Sequence, residues 1–211
     1  MIFELTSFKI WSVVDQAKRE KILDAAVREF ARHGFKKASI ESIAEQAGVG
    51  KGTIYLAAET KEDLFYQAVH KEVRAWSAVV GRHVDPTRTA EELLLECAAA
   101  GYAFMKERPL VRELLFGEHS FILQRWPDRL EQLQELGLRT VVEVLGIGVR
   151  QGRFRAELDL HAVATIIQDV MLSAHVLHPE TQQAPEKFQA RVRAGLDLLL
   201  NGIRVRASVD A

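Results

Sequence analysis

Residues 39–64, SIESIAEQAGVGKGTIYLAAETKEDL, set two short helical patterns on either side of a glycine turn. Ser39 is a good amino cap, and Ile40, Ile43 and Ala44 recur at the spacing of one buried helical face. Gly48 is the natural stop for that helix. The run Gly50-Lys51-Gly52-Thr53-Ile54-Tyr55 follows at once and ends near Ala57. This second helix is short, with an internal glycine and two β-branched residues, so its existence depends on packing rather than on intrinsic propensity. Two short helices joined in this way outline a helix-turn-helix, a unit that can present one helix to the major groove of DNA.

Around this segment the periodicity is helical throughout, without convincing strand alternation. A first helix is expected over 15–33, with Ile22, Ala25, Ala26 and Phe30 on one face and Gly34 as its stop. Thr60 with Asp63, and Thr89 with Glu92, have the spacing at which a cap side chain meets the first helical turn. They open helices over about 61–80 and 90–107. Shorter or longer helices follow over 110–116, 127–150, from Asp159 to about 177, and 185–205. The expected fold is all-α, about nine helices: an amino-terminal three-helix helix-turn-helix domain with an amino-terminal arm, 1–60, and a larger helical bundle, 61–211. Gly137, Gly146 and Gly148 each weaken their helix by about 1 kcal/mol relative to alanine. They permit close approach of another helix or leave space for a ligand.

Charge alone would not suggest nucleic acid, because the formal net charge is −1. Lys18, Arg19, Lys21, Arg28, Arg32, Lys36, Lys37 and Lys51 gather near the amino end, but Glu20, Asp24, Glu29, Glu41 and Glu45 are interleaved with them. A positive face must therefore come from geometry. Cys97 is the single cysteine, which excludes an intramolecular disulfide and a multi-cysteine zinc site. The first fourteen residues lack a basic leader and a small-residue cleavage site, and no stretch is apolar enough to span a bilayer. The expected location is the cytoplasm, without a membrane partner.

The second helix of the pair carries the candidate chemistry. Gly50 and Gly52 let the backbone approach a phosphate, and Lys51 and Thr53 would project toward base edges. Tyr55 would donate its hydroxyl to a phosphate, with Lys61 holding a neighbouring one. GVGKGT is not a nucleotide-binding P-loop, because the spacing is wrong and no strand precedes it.

The segments ILDAAVREFARHGF, SIESIAEQAGV, GKGTIY and KEDLF, in that order over residues 22–65, resemble the TetR family of transcriptional regulators. The resemblance covers the first third of the chain; the rest matches only in helix count and length. It implies a homodimer on a near-palindromic operator, released when a small ligand occupies the larger domain. The family's DNA-contacting positions fall on Ser39, Gly50, Lys51, Gly52, Thr53, Tyr55 and Lys61. Leu56, Ala57 and Ala58 depart from the family pattern, which has an aromatic or histidine and then phenylalanine after the tyrosine. Ala57 cannot make the usual phosphate contact. Ala58 replaces a large core side chain, at about 3–5 kcal/mol unless neighbours such as Phe3, Phe8 and Trp11 of the amino-terminal arm fill the space.

In the larger domain, Trp76, Tyr102, Met105, Phe121, Trp126, Met171 and His175 are candidate pocket residues, each also readable as ordinary core. Their apolar character suits a small hydrophobic effector. The last two helices have more apolar residues than one stripe requires, among them Ile166. Ile167, Val170 and Ala174 on one, and Leu196, Leu200 and Ile203 on the other, are the candidate dimer interface. His161, His175 and His178 would need further ligands, such as His119 or Glu118, to hold a metal; no metal or cofactor is expected. No nucleophile elbow or paired-carboxylate setting points to an enzyme. Two other readings stay open: a DNA-binding regulator controlled by a protein partner, and a ligand-binding helical module with weakened DNA binding.

Overall fold

The computed structural model describes residues 15–116, 127–176 and 184–204. The arm with Phe3, Phe8 and Trp11, and the residues Glu118, His119, Phe121, Trp126 and His178, lie outside the described residues, as do the side chains of Ala174 and His175. Among the described residues there are nine helices: α1 Gln16–Lys37, α2 Ile40–Ala47, α3 Lys51–Ala57, α4 Lys61–Gly81, α5 Ala90–Glu107, α6 Pro109–Phe116, α7 Pro127–Arg150, α8 Leu160–Val176 and α9 Pro185–Ile203. One isolated antiparallel bridge joins Phe154 to Arg204. The fold is all-α, as the periodicity requires.

Helix ends follow local chemistry. Ser39 Oγ accepts the Ser42 N–H at 3.3 Å, and Thr60 Oγ1 accepts that of Asp63 at 3.0 Å. Thr89 and Glu92 form a reciprocal capping box, and Asp159 accepts the N–H groups of His161 and Ala162, both at 3.0 Å. The expected stop at Gly34 is a kink: the residue takes φ 68° and a last helical turn runs on to Lys37.

The chain divides into two compact units, Met1–Val73 with Arg108–Leu130, and Arg74–Glu107 with Glu131–Ala211. The expected division at 60/61 differs from this. Leu64, Phe65, Ala68 and Val69 of α4 are buried and belong to the first unit, so the boundary falls inside a continuous helix rather than at the loop before it.

The core of the first unit is built on Ile22, Ala26 and Phe30 of α1, Ile43 of α2, Ile54 of α3 and Phe65 of α4. The Phe65 ring meets Phe30 edge-on at 5.0 Å and Phe35 at 5.2 Å. Ala57 and Ala58 are both buried. Gln67 of α4 reaches into this region, donating to the Ala57 carbonyl at 3.3 Å.

In the second unit α5, α7, α8 and α9 share one hydrophobic core with the end of α4. Gly148 is obligatory there: a Cβ would lie 2.2 Å from the Phe154 ring and 3.0 Å from Ala90 Cβ. Gly101 likewise lies under the Trp76 ring, where a Cβ would come 2.9 Å from Nε1, whereas a Cβ at Gly137 would meet Trp76 and Gln168 at an ordinary 3.7 Å. Among the glycines of α7, Gly148 thus serves close packing.

The candidate dimer residues need correction. Ile167, Leu196, Leu200 and Ile203 are buried in the chain's own core, and Val170 packs toward Gly195 between α8 and α9. The two helices spend these side chains on each other and on α5. Their outward apolar side chains are Ile166, 50% exposed, and Leu198, 77% exposed.

Candidate nucleic-acid interface

The helix-turn-helix is closed by its glycine. Gly48 adopts φ 68°, a conformation that costs most L-residues free energy, and this lets the Gly48 and Val49 N–H groups bond back to Glu45 and Ala44 at 3.1 and 3.0 Å. Gly50 then caps α3 in an extended conformation. Ile54 and Ala57 turn inward and anchor α3, while Lys51, Gly52, Tyr55 and Leu56 face solvent. A Cβ at Gly50 or Gly52 would meet nothing within 4 Å. The fold does not require glycine at these two positions, so the backbone there is left bare.

The seven candidate contact residues differ in their surroundings. Lys51 forms an ion pair with Glu41, and Tyr55 is 47% exposed. Ser39 donates its hydroxyl to Glu41 Oε2 at 3.0 Å. Thr53 is half-buried, its N–H on the Gly50 carbonyl at 2.8 Å. Lys61 also has a structural contact: its ammonium donates to the Lys36 carbonyl at 3.2 Å and lies 5.1 Å from the Phe35 ring centre. The Lys51 hydrogen bond, helped by the Glu41 and Ser39 donors, brings the Glu41 carboxyl down to about 2, and Glu41 in turn raises Lys51.

Glu29 is the positioning residue that sequence reasoning missed, counting it only among the acids interleaved with the lysines. It is 4% exposed. One carboxylate oxygen accepts the Ser39 N–H at 3.1 Å; the other accepts the Ser42 hydroxyl at 2.8 Å and the Gln46 amide at 2.9 Å. Burial works against its charge, but these donors and the nearby His33 outweigh it and hold the carboxyl below the ordinary value. The signal was available: Glu29 continues the inward register Ile22, Ala25, Ala26 by one helical turn. A carboxylate on that face needs donors, and α2 supplies them.

The candidate pocket residues do not behave as one set. Tyr102 is buried, stacked on Phe188 with ring centres 4.4 Å apart, and Trp76 and Met171 pack against the same core. Met105 is half-buried. A groove between α5 and α9, lined by Leu95, Ala98, Ala99, Phe188 and Val192 with Glu96, Gln189 and Arg193, was not anticipated. Cys97 is buried and its thiol is pushed up to about 11, chiefly by burial, so it is not a poised nucleophile. His161 pairs with Glu135 at 2.7 Å. Among the described residues no three metal-ligating side chains gather, and no helix is long and apolar enough to cross a membrane.

Comparison with known proteins agrees with this geometry. Residues 22–68 match the family model described as bacterial regulatory proteins, tetR family. The chain is 26% identical over 160 residues to the fatty acid metabolism regulator protein of Bacillus subtilis, covering 71% of this chain and 77% of that one. It is 25% identical over 158 residues to the HTH-type transcriptional repressor KstR2 of Mycolicibacterium smegmatis, covering 72% and 75%. In fold it is similar to the transcriptional regulator FadR of Bacillus subtilis, solved in complex with stearoyl-CoA, with a TM-score of 0.68 at 21% identity, covering 87% of this chain and 98% of that one. These relatives are regulators rather than enzymes.

Proposed function

We propose, from the match of residues 22–68 to the tetR family model and the similarity to its regulators, that the chain is a TetR-family DNA-binding regulator, a cytoplasmic homodimer that represses transcription from a near-palindromic operator. A small hydrophobic ligand in the second unit releases it. One observation carries the DNA reading: α3 buries Ile54 and Ala57 while turning Lys51, Tyr55 and two bare glycines outward. Ser39, Gly50, Lys51, Gly52, Thr53, Tyr55 and Lys61 form the proposed contact set, Lys61 also bracing the end of α1. A two-fold axis would set the two α3 helices about 34–36 Å apart, or somewhat farther, to meet successive major grooves.

The outward faces of α8 and α9, with Ile166 and Leu198, supply the proposed dimer surface. Release is a population shift: the ligand binds better to dimers whose α3 helices are not spaced for the operator. Helix α4 contributes residues to both units and is the proposed connection. The Bacillus subtilis structure with stearoyl-CoA makes long-chain acyl thioesters the first effectors to try.

The test is footprinting on the DNA upstream of the protein's own gene. A protected near-palindrome is expected, with affinity reduced by Lys51→Ala and Tyr55→Phe and lowered by stearoyl-CoA but not by free CoA. No protected sequence would defeat the operator reading. Equal ligand affinity for free and operator-bound protein would defeat the release mechanism alone.

A second reading, control by a protein partner without a small molecule, is favoured by Tyr102, which is packed on Phe188 in the core. An acyl thioester with no measurable binding supports it. The third reading, weakened DNA binding, rests on buried Ala57, which offers no phosphate contact.

A further inference from the structure

Building on the proposed DNA contacts, we propose that Glu41 is an intramolecular competitor for Lys51, holding the lysine in the free protein and so weakening its contact with duplex DNA. Glu41 lies in the first turn of α2, and its two oxygens engage two groups of the proposed interface. One pairs with the Lys51 ammonium, and the other accepts the Ser39 hydroxyl at 3.0 Å. Both members of the ion pair face solvent, with side chains 51% and 64% exposed. An exposed pair of this kind is weak and can be exchanged.

The exchange decides the effect. When Lys51 turns to a phosphate it trades one oxyanion for another, and the carboxylate it leaves then faces a polyanion unpaired. Contact with phosphate alone therefore gains little. A contact to the two acceptors of a guanine edge gains more, but the pair must be broken at the same cost. Glu41 thus lowers binding to arbitrary DNA and to the operator alike. An acid in the first turn also suits the α2 dipole, a purely structural role that does not depend on Lys51.

A double-mutant cycle separates these roles. Full-length wild type, Glu41→Gln, Lys51→Ala and the double variant are titrated by fluorescence anisotropy against a random-sequence duplex and the footprinted operator, at stepped salt concentrations. Glu41→Gln is expected to tighten binding to the random duplex about two- to fivefold. It should steepen the salt dependence by about one unit of logarithmic slope, and it should not weaken binding to the operator. In the Lys51→Ala background that gain should vanish. An unchanged or weakened Glu41→Gln protein overturns the proposal, as does an equal gain without Lys51, which would be mere removal of a negative charge. If Lys51→Ala binds duplex like wild type, Lys51 is not at the interface and the competitor role falls while DNA binding stands. If wild type binds no duplex even at low salt, the functional reading beneath it fails instead.

Discussion

The Glu29 carboxylate of α1 accepts the backbone N–H of Ser39, 3.1 Å away at the start of α2. This bond, with those from Ser42 and Gln46, fixes the angle at which the first helix of the pair leaves α1, and hence where α3 points. Glu29→Ala leaves a part-buried N–H without its acceptor and should destabilise the protein by about 1–3 kcal/mol, read from chemical denaturation. The native carboxyl lies below its ordinary value, so its contribution is present above about pH 4.5 and lost as the pH falls through the depressed native value. Glu29→Gln should accordingly lose less stability than wild type between pH 5 and acid, within about the same range of energies. Parallel acid limbs would contradict this.

Gly52 separates folding from function. A Cβ there meets nothing within 4 Å, so Gly52→Ala should leave stability unchanged or raise it by up to about 1 kcal/mol. Operator affinity should nevertheless fall, because the added methyl stands where DNA must approach the backbone. Full affinity in the alanine variant would show that the bare backbone has no role in recognition.

Gly148 makes the opposite case. Its Cβ would overlap the Phe154 ring at 2.2 Å. Gly148→Ala is expected to cost about 2–3 kcal/mol or more by overpacking, measured as a lowered denaturation midpoint. A variant as stable as wild type would mean that α7 and Phe154 are not in this contact.

The outward positions on α8 and α9 test the dimer. Ile166→Glu with Leu198→Glu should yield monomers in sedimentation while shifting subunit stability by no more than about 1 kcal/mol. Leu200→Ala, a core truncation, should instead cost about 2–5 kcal/mol. A glutamate variant that remains dimeric would move the interface elsewhere.

Glu72 provides a pH test of opposite sign. It is 2% exposed, with Oε1 on Arg108 at 3.2 Å and no hydrogen-bond partner for Oε2 among the described residues. Burial raises its carboxyl above the ordinary value despite Arg108 and Lys71. A raised acid stabilises the fold below its unfolded pKa and loses that contribution as the pH rises through the native one. Glu72→Gln should thus match wild type near pH 4.5 and gain up to about 1 kcal/mol by neutral pH, since half-exposed Arg108 can hydrate when its partner is neutral. A variant less stable at neutral pH would show that the ion pair outweighs its desolvation.

How much was legible differs from residue to residue. Thr89 with Glu92, Asp159, Ser39 and Gly48 announced helix ends because capping is decided within four residues of chain. The apolar spacing of Ile40, Ile43 and Ala44 likewise identified the inward face of α2. Glu29 was misread because charge was counted along the chain and not around the helix. Ile167, Leu196, Leu200 and Ile203 were misassigned because one apolar stripe has the same periodicity whether its partner is the same chain or a second copy.

The helical class and the helix-turn-helix were thus written in the sequence, since propensity, caps and turns act over short separations. The tertiary structure alone decided that Glu29 faces inward, that Glu41 lies within reach of Lys51, and that Ile166 and Leu198, rather than Ile167 and Leu200, face outward. Those outcomes depend on contacts between elements far apart along the chain, and no local period or spacing encodes which helix will cover which face.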